Sequence, residues 1–176
     1  MSSPPKVRGL HGGILRNRTV KMQGAHTLEA PIAKVWAFLM DAEAIAKVIP
    51  GCETLQEVEP DTYKATLKLG IAAIKGTYHG SVHVFDKTPP CHYRMHVDGK
   101  GTPGFVQGDV TVDLDAQGSQ TVLTYDADTQ VGGLIANVGQ RMISGVAKIV
   151  IAQALKQLES ELAQYDHQTP DATRLL

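Results

Sequence analysis

The chain has 176 residues, 43% of them hydrophobic and 20% charged, with a formal net charge of −1 at pH 7. These values predict one globular domain with its own core. They argue against a general nucleic-acid-binding protein, which would carry a basic surface. The two cysteines, Cys52 and Cys91, form no Cys-x-x-Cys pair. We therefore expect neither a disulfide framework nor a zinc ribbon. The protein is expected to belong to a reducing compartment.

The two ends of the chain differ in composition from its middle. Residues 1–19 contain Pro4-Pro5 and Gly12-Gly13, show no apolar periodicity and carry basic residues but no acidic one. This predicts a disordered basic arm that is either inert or in weak contact with anionic lipid; residues 166–176 are expected to be a flexible tail. Because no apolar run is long enough for a secretion signal or a membrane span, we expect a cytoplasmic protein.

A strand and two short helices are predicted first. Residues 20–28 alternate between apolar and polar residues and indicate a strand. Pro31 favours the start of a helix whose apolar face includes Trp36, and Asp41 is a suitable N-cap for a second short helix over residues 42–48. Two helices directly after the first strand would form a bracket at one end of a sheet.

The middle of the chain is predicted to supply the rest of that sheet. Residues 52–131 alternate with a period of two and contain turn residues at regular intervals, which predicts six further strands in an antiparallel arrangement. The glycine-rich segment Gly99–Gly104 matches no phosphate-binding loop, because no helix follows it. It is either a plain turn or a mobile rim over a cavity mouth, with Phe105 as the gate.

One long helix is predicted from Gly132 to about Ala163. Apolar residues recur every three or four positions along it, which indicates a wide apolar stripe, and at about 1.5 Å per residue it would be roughly 45 Å long. The other helices are short, so this stripe must pack along the sheet. Gly139 and Gly145 would lie in the helix interior, each at a cost of about 1 kcal/mol. They indicate either close packing of the helix on a strand or free space for a guest molecule.

The predicted order of elements is an α+β helix-grip fold: a curved, seven-stranded antiparallel sheet around a long C-terminal helix, with two short helices after strand 1. Several short motifs also resemble CoxG, a carbon monoxide dehydrogenase subunit family of the START-like superfamily. The resemblance covers residues 22–162 within a predicted domain at residues 20–165, and its motifs are Ala30-Pro31, Val35-Trp36, Ile49-Pro50-Gly51-Cys52-Glu53, Gly99-x-Gly101 through Gly108, and Val131-Gly132-Gly133.

This resemblance implies a fold with an internal apolar cavity and no cofactor. It also implies an accessory role beside a molybdenum-containing carbon monoxide dehydrogenase, with recruitment to the inner face of the cytoplasmic membrane. The implied ligand is lipid-like, for example a quinone.

Four histidines are candidates for a metal site. His79 and His83 are four residues apart on one predicted strand, and His92 and His96 are four apart on the next, so all four would share one face. Such a cluster could hold zinc. The same face carries mainly polar residues and points away from the long helix, so an exposed polar face is the favoured interpretation, with a partner interface as the alternative. We therefore expect no metal.

His26 alternates with apolar residues and is predicted to point inward, where it would need a hydrogen-bonding partner. The candidates are Tyr63, Tyr78, Tyr93 and Tyr125, or the carbonyl group of a guest. No Gly-x-Ser-x-Gly nucleophile motif occurs, and acidic residues are nearly absent from inward positions. We therefore expect no catalytic residues.

The favoured hypothesis is a non-enzymatic protein that binds a hydrophobic molecule between the sheet and the long helix. A pure interaction module is the first alternative. Beyond the basic N-terminal arm the chain carries more acidic than basic residues, and either this moderately acidic body or the histidine face would dock a dehydrogenase. A START-like hydrolase or cyclase is the second. The predicted ligand contacts are His26, Leu67, Leu69, Tyr78, Met95, Phe105, Val110, Tyr125, Ile135, Val138, Met142 and Val146.

Overall fold

A computed structural model describes residues 17–71 and 74–165. The expected arm at residues 1–19 lies almost wholly outside the described residues, as does the expected tail at 166–176. The elements follow in the order β1 (Arg18–Leu28), α1 (Ile32–Leu39), α2 (Ala42–Ala46), β2 (Cys52–Glu59), β3 (Thr62–Leu69), β4 (Gly76–Thr88), β5 (His92–Gly101), β6 (Gly104–Gln117), β7 (Gln120–Gly132), a 3₁₀ helix (Gly133–Asn137) and α3 (Gln140–Gln164).

The seven strands form one antiparallel sheet in the order β1-β7-β6-β5-β4-β3-β2. Every neighbouring pair is consecutive in the chain except β1 and β7, so the first strand pairs with the last one and forms one edge of an open sheet. Alternating residues face α3, because successive side chains of a strand point to opposite faces. The predicted helix-grip architecture is thus confirmed, including the two short helices after β1.

The two short helices cover one end of the sheet. Pro31 is the N-cap of α1, and Val35 and Phe38 are the residues that this helix buries. The side chain of Asp41 accepts hydrogen bonds from the backbone N–H groups of the first turn of α2, as the sequence predicted. These two helices, the bracket, fill the interior at that end of the sheet.

The interior is divided into two apolar clusters along α3. The first lies under the C-terminal half of α3 and includes Phe38 of α1, Leu28 of β1 and Leu158. The second lies under the N-terminal half and includes Tyr78 and Ile143. The bracket of α1 and α2 packs only on the first cluster, so the second has no such cover.

The long C-terminal helix begins later than predicted. The chain passes from β7 through Gly133, which has a φ of +77°, into the 3₁₀ helix, and only after an extended Val138 does α3 begin with Gly139 as its N-cap. The backbone N–H of Ile135 donates to the carbonyl of Pro103 at 2.9 Å, which ties the 3₁₀ segment to the β5–β6 turn. The prediction that Gly139 lies in the helix interior was therefore wrong.

Gly145 does lie inside α3, but neither predicted reason for it is visible in the packing. A Cβ atom at Gly145 would meet no atom within 4 Å outside the helix's own backbone, so close packing on a strand does not require the glycine. The residue is also not part of the cavity wall described below. None of the helices in the described residues is long and apolar enough to cross a membrane.

Candidate ligand-binding cavity

A cavity of about 500 Å³ lies between the inner face of the sheet and the N-terminal half of α3. All seven strands contribute to its wall, from Met22 of β1 to Leu55 of β2, and α3 closes it with residues that include Met142, Val146 and Val150. Its size is within the range of pockets that take small organic ligands. Because the bracket helices fill the other end of the sheet, the cavity occupies the end that they leave uncovered.

The floor of the cavity is built from residues with little or no side chain. Gly80, Gly99 and Val106 are cross-strand neighbours on β4, β5 and β6, and Ala65 of β3 continues the same row. In the next row of cross-strand neighbours, Gly108 of β6 lies beside Thr129 of β7 and has no side chain to cover it. These strands therefore expose their backbone where other strands would place side chains, and this leaves room for a guest.

Not all of these glycines have the same freedom to accept a side chain. A Cβ atom at Gly80 would approach the carbonyl oxygen of Asp98 to 2.4 Å, and one at Gly108 would approach that of Asp128 to 2.2 Å. A Cβ atom at Gly99 would meet only one atom, at 4.0 Å. Gly80 and Gly108 are thus required by the close approach of neighbouring strands, whereas Gly99 faces free space.

Two hydroxyl groups lie in the otherwise apolar wall. Tyr78 donates to the carbonyl of Ile74 at 2.7 Å, and Thr129 donates to the carbonyl of Val20 at 2.9 Å. A tyrosine hydroxyl is protonated at neutral pH, and burial raises the pKa of Tyr78 further, so this hydroxyl keeps its proton as a donor. Both oxygens retain acceptor capacity, because a hydroxyl group can donate and accept at once.

The two other polar residues at the cavity contribute no side chain to its interior. Ser81 and Asp98 pair with each other across β4 and β5 and are exposed. They are therefore on the outer face of the sheet, one position away from the inward Gly80 and Gly99. Among the described residues of the wall, Tyr78 is then the one ionisable group that faces inward.

Eight of the twelve predicted ligand contacts line this cavity: Leu67, Leu69, Tyr78, Met95, Ile135, Val138, Met142 and Val146. Period-two alternation placed the strand residues on the correct face. The helical residues follow from the apolar stripe, which continues through the 3₁₀ segment into α3.

His26 was predicted to face a tyrosine or a guest carbonyl, and this was wrong. Its Nε2 lies 2.5 Å from Oε1 of Glu159 on the C-terminal half of α3, and its side chain is 30% exposed. The residue does point toward the helix. It does so at the end of the sheet where the C-terminal half of α3 packs on the first apolar cluster, and its partner there is a carboxylate at the protein surface.

Three further predicted contacts also lie outside the cavity wall. Val110 and Tyr125 are inward but pack against the first apolar cluster, and the Tyr125 ring covers Gly24 on β1. Phe105 pairs with Lys100 and Gly132 on the outer face, where its ring lies over the α-carbon of Gly132. It therefore cannot act as a gate on the inner side.

The glycine-rich segment forms a β-hairpin turn between β5 and β6. The carbonyl of Pro103 accepts a hydrogen bond from Ile135, and a Cβ atom at Gly104 would lie 2.1 Å from the carbonyl oxygen of Gly132. The turn is thus packed against the start of the 3₁₀ helix. Of the two alternatives predicted for Gly99–Gly104, the plain turn is the one that the structure supports.

Exposed apolar side chains flank the cavity on the helical side. Leu134, Met142 and Ile149 are 68%, 54% and 48% exposed, and Met142 also belongs to the cavity wall. The exposed basic residues Arg141 and Lys148 accompany them, and no acidic residue occurs from position 140 to 158. Large exposed apolar residues near a cavity are typical of an interaction surface.

A model of the CoxG family of carbon monoxide dehydrogenase subunits matches residues 24–163. The chain belongs to this family. Among curated protein sequences, none matches the chain significantly. A conserved protein of known structure from Geobacillus kaustophilus is 40% identical over 82% of this chain and 96% of its own, with a TM-score of 0.80.

Two more distant structures share the fold of this CoxG-family chain. A START superfamily protein from Mycobacterium smegmatis is 14% identical, with a TM-score of 0.66 over 82% of this chain and 97% of its own. The Zhui aromatase/cyclase from Streptomyces sp. R1128 is 15% identical, with a TM-score of 0.63 over 84% and 95%. At these identities the likeness concerns the fold alone.

The four histidines considered for a metal site, His79, His83, His92 and His96, lie on the outer face of the sheet and contact neighbouring side chains. His83 and His96 are direct cross-strand neighbours, and His96 lies 3.0 Å from Asp109. His92 Nδ1 lies 2.7 Å from Asp113, and this hydrogen bond is the main cause that raises the pKa of His92. Within the described residues, no group of three or more His, Cys, Asp or Glu side chains is arranged to hold a metal ion.

The cavity residues that were not predicted from the sequence include the small ones of the floor, Ala65, Gly80 and Gly99. Gly80 and Gly99 occupy inward positions of strands whose neighbouring inward residues include Tyr78, Met95 and Val97. The same alternation that identified Met95 and Val110 would have identified these gaps. Free space for a guest was instead predicted from Gly139 and Gly145 of the helix.

Proposed function

We propose that this CoxG-family protein is a non-enzymatic carrier that holds a hydrophobic molecule, lipid-like or quinone-like, in the cavity between the sheet and α3. The observation that carries the proposal is the cavity itself, which has an apolar wall, a volume of about 500 Å³ and a floor of glycine and alanine. Gly99 is not required by any close approach of a neighbouring strand, whereas Gly80 is. A glycine that only leaves space at the cavity wall is expected where that space is occupied by something other than the protein.

The size of the cavity supports a guest on energetic grounds. An apolar wall without a guest forgoes the burial of its surface, which is worth about 25 cal/mol per Å². A space of about 500 Å³ leaves a large area of such wall unburied. Water is poorly accommodated by an apolar wall, so an apolar guest is the occupant that buries this area.

The proposal of a carrier is favoured over a START-like cyclase or hydrolase by the chemistry of the wall. General acid–base catalysis needs a titratable side chain near the reacting group. Of the described wall residues, only Tyr78 has an inward ionisable group, and it is occupied by its hydrogen bond to Ile74. The family description names one of the subunits of carbon monoxide dehydrogenase, which also agrees with an accessory role.

The dehydrogenase partner and the membrane belong to the same proposal. As a member of this family, the protein would assist or recruit a molybdenum-type carbon monoxide dehydrogenase at the inner face of the cytoplasmic membrane. The exposed apolar side chains of Met142 and Ile149, flanked by basic residues on α3, support a peripheral contact with anionic lipid. A ligand could then pass between the cavity and the lipid next to it.

The membrane contact can be tested with sedimentation of phosphatidylglycerol vesicles. Replacing both Met142 and Ile149 with serine removes two apolar contacts and should weaken vesicle binding about tenfold, or 1.4 kcal/mol. Val58→Ser is a matched control, since Val58 is 47% exposed but lies on β2. Equal binding by both variants and the unaltered protein would exclude this surface.

The ligand-binding function can be tested by fluorescence titration with Nile red. The expected result is saturable binding at one dye per chain, reversed by decylubiquinone or oleyl alcohol. Absence of saturable binding by the dye and by both competitors would contradict the carrier function. A pure interaction module, docking a dehydrogenase without any ligand, would then be the better account.

A further inference from the structure

The hydrogen bonds inside the cavity indicate what kind of polar group its guest carries. This inference rests on the proposed function, since it concerns the ligand of the same cavity. The relevant groups are the hydroxyls of Tyr78 and Thr129, the two side-chain hydroxyls of the described wall that face inward. What matters is where their protons point.

Both protons are already in use. The Tyr78 hydroxyl donates to Ile74 O at 2.7 Å, and the Thr129 hydroxyl donates to Val20 O at 2.9 Å. Each of these groups has one proton to donate and lone pairs left to accept. To a guest molecule, both oxygens therefore present acceptors.

Turning either hydroxyl toward a guest carbonyl would not help. The backbone carbonyl that it now serves would lose this hydrogen bond, which offsets the one gained by the guest. A guest that brings its own O–H proton avoids this exchange. It can donate to the free lone pairs of Tyr78 or Thr129 while both existing hydrogen bonds stay intact.

The position of Thr129 makes its lone pairs accessible. Its cross-strand neighbour on β6 is Gly108, which has no side chain to cover the threonine. The missing side chain cannot be restored without a backbone shift, because a Cβ atom there would lie 2.2 Å from Asp128 O. The sheet thus keeps an uncovered acceptor at the cavity floor.

We infer that the cavity selects a neutral apolar molecule bearing a hydroxyl group, such as an alcohol, a phenol or a hydroquinone, over the corresponding carbonyl compound. The hydroxyl donates to Tyr78 Oη or Thr129 Oγ1. Carboxylates and phosphates are disfavoured within the cavity, because no inward cationic side chain occurs among the described wall residues.

Three compounds with one carbon skeleton test this inference: cyclododecanol, cyclododecanone and cyclododecane. They present a donor, an acceptor only, and neither. Competition with Nile red on the full-length chain should give at least about tenfold tighter binding for the alcohol than for the ketone, equivalent to 1.4 kcal/mol. The hydrocarbon corrects for apolar contact alone.

Two substitutions locate the acceptor. Tyr78→Phe and Thr129→Val each remove one oxygen with little change of shape, and the alcohol-to-ketone ratio should fall toward one in whichever variant removes the acceptor used. Because the ratio is taken within one variant, a change in stability does not affect it. Gln130→Val, on the outer face next to Thr129, is the matched control and should leave the ratio unchanged.

Each outcome decides a different claim. Equal binding of alcohol and ketone, or tighter binding of the ketone, would overturn the hydroxyl preference while leaving the carrier function intact. A preference that survives in both variants and in their combination would also overturn it, because neither oxygen would then be the acceptor. If none of the three compounds binds, the carrier function falls as well.

Discussion

Adding a side chain to the cavity floor should have opposite effects at two glycines of the same inner face. At Gly99 a Cβ atom meets only one atom, at 4.0 Å, whereas at Gly108 it would lie 2.2 Å from a backbone carbonyl oxygen. Gly99→Val places an apolar side chain in free space and suits a strand better than glycine does. Gly108→Val forces two strands apart, so the pair separates filling of the cavity from distortion of the sheet.

The expected magnitudes follow from burial and strain. A buried valine side chain stabilises by about 1.5 kcal/mol at the lower end of its range, and overpacking costs about 1–3 kcal/mol. At about 2–4 °C per kcal/mol for a chain of this length, Gly99→Val should raise the melting temperature by roughly 3–6 °C. Gly108→Val should lower it by roughly 2–12 °C.

Thermal unfolding followed by circular dichroism, with and without Nile red, measures both effects. The Gly99→Val protein should also bind the dye more weakly, because its new side chain occupies the cavity floor. If Gly99→Val loses as much stability as Gly108→Val, there is no free space above Gly99 and the reasoning about the floor is refuted.

Two further predictions concern residues outside the cavity, the His92–Asp113 pair and the N-cap residue Asp41. Asp113→Asn should lower the pKa of His92 toward its ordinary value of 6.5 in an NMR titration, because the hydrogen bond to Asp113 is the main cause of the raised value; Asp115→Asn is the control. A raised histidine pKa stabilises the fold below the unfolded pKa, and this is lost as pH rises through the folded pKa. Asp113→Asn should therefore lose more stability at about pH 5 than at about pH 8, and an equal loss would contradict this. Asp41→Ala should cost about 1 kcal/mol in denaturant unfolding, because it removes the N-cap of α2. Glu43→Ala in the same turn should cost less, and equal losses would mean that the cap contributes nothing.

The fold could be predicted from the sequence because its signals are local. Strand alternation between residues 52 and 131, the Asp41 cap and the apolar stripe of the last helix each depend on neighbours in the chain. The start of that helix could not be predicted, because Leu134, Ile135 and Val138 continue the helical spacing through the 3₁₀ segment. The α-helix starts only after Val138 and Gly139, which are both extended, while a tertiary hydrogen bond from Ile135 to Pro103 holds the preceding segment against the β5–β6 turn.

The candidate site could be predicted only in part, for a similar reason. Alternation says which face of the sheet a residue occupies, and it succeeded for Leu67, Tyr78 and Met95. It does not say which end of the sheet is filled by α1 and α2, so Val110 and Tyr125 were predicted in the cavity although they pack in the core.

His26 shows the limit of pattern reasoning most clearly. Its inward direction follows from alternation. Its partner Glu159 is 133 residues away, and nothing in the spacing of either residue relates the two. Phe105, in contrast, could have been corrected from the sequence, since its neighbour Val106 begins the inward set of its strand.

Native mass spectrometry of the protein purified without detergent, followed by organic extraction, tests the central claim most directly. The account predicts one neutral apolar molecule per chain, bearing a hydroxyl group, and a smaller bound fraction in Gly99→Val. A mass equal to that of the bare chain, unchanged after incubation with quinones, hydroquinones and lipids, would contradict the proposal that this cavity carries a ligand.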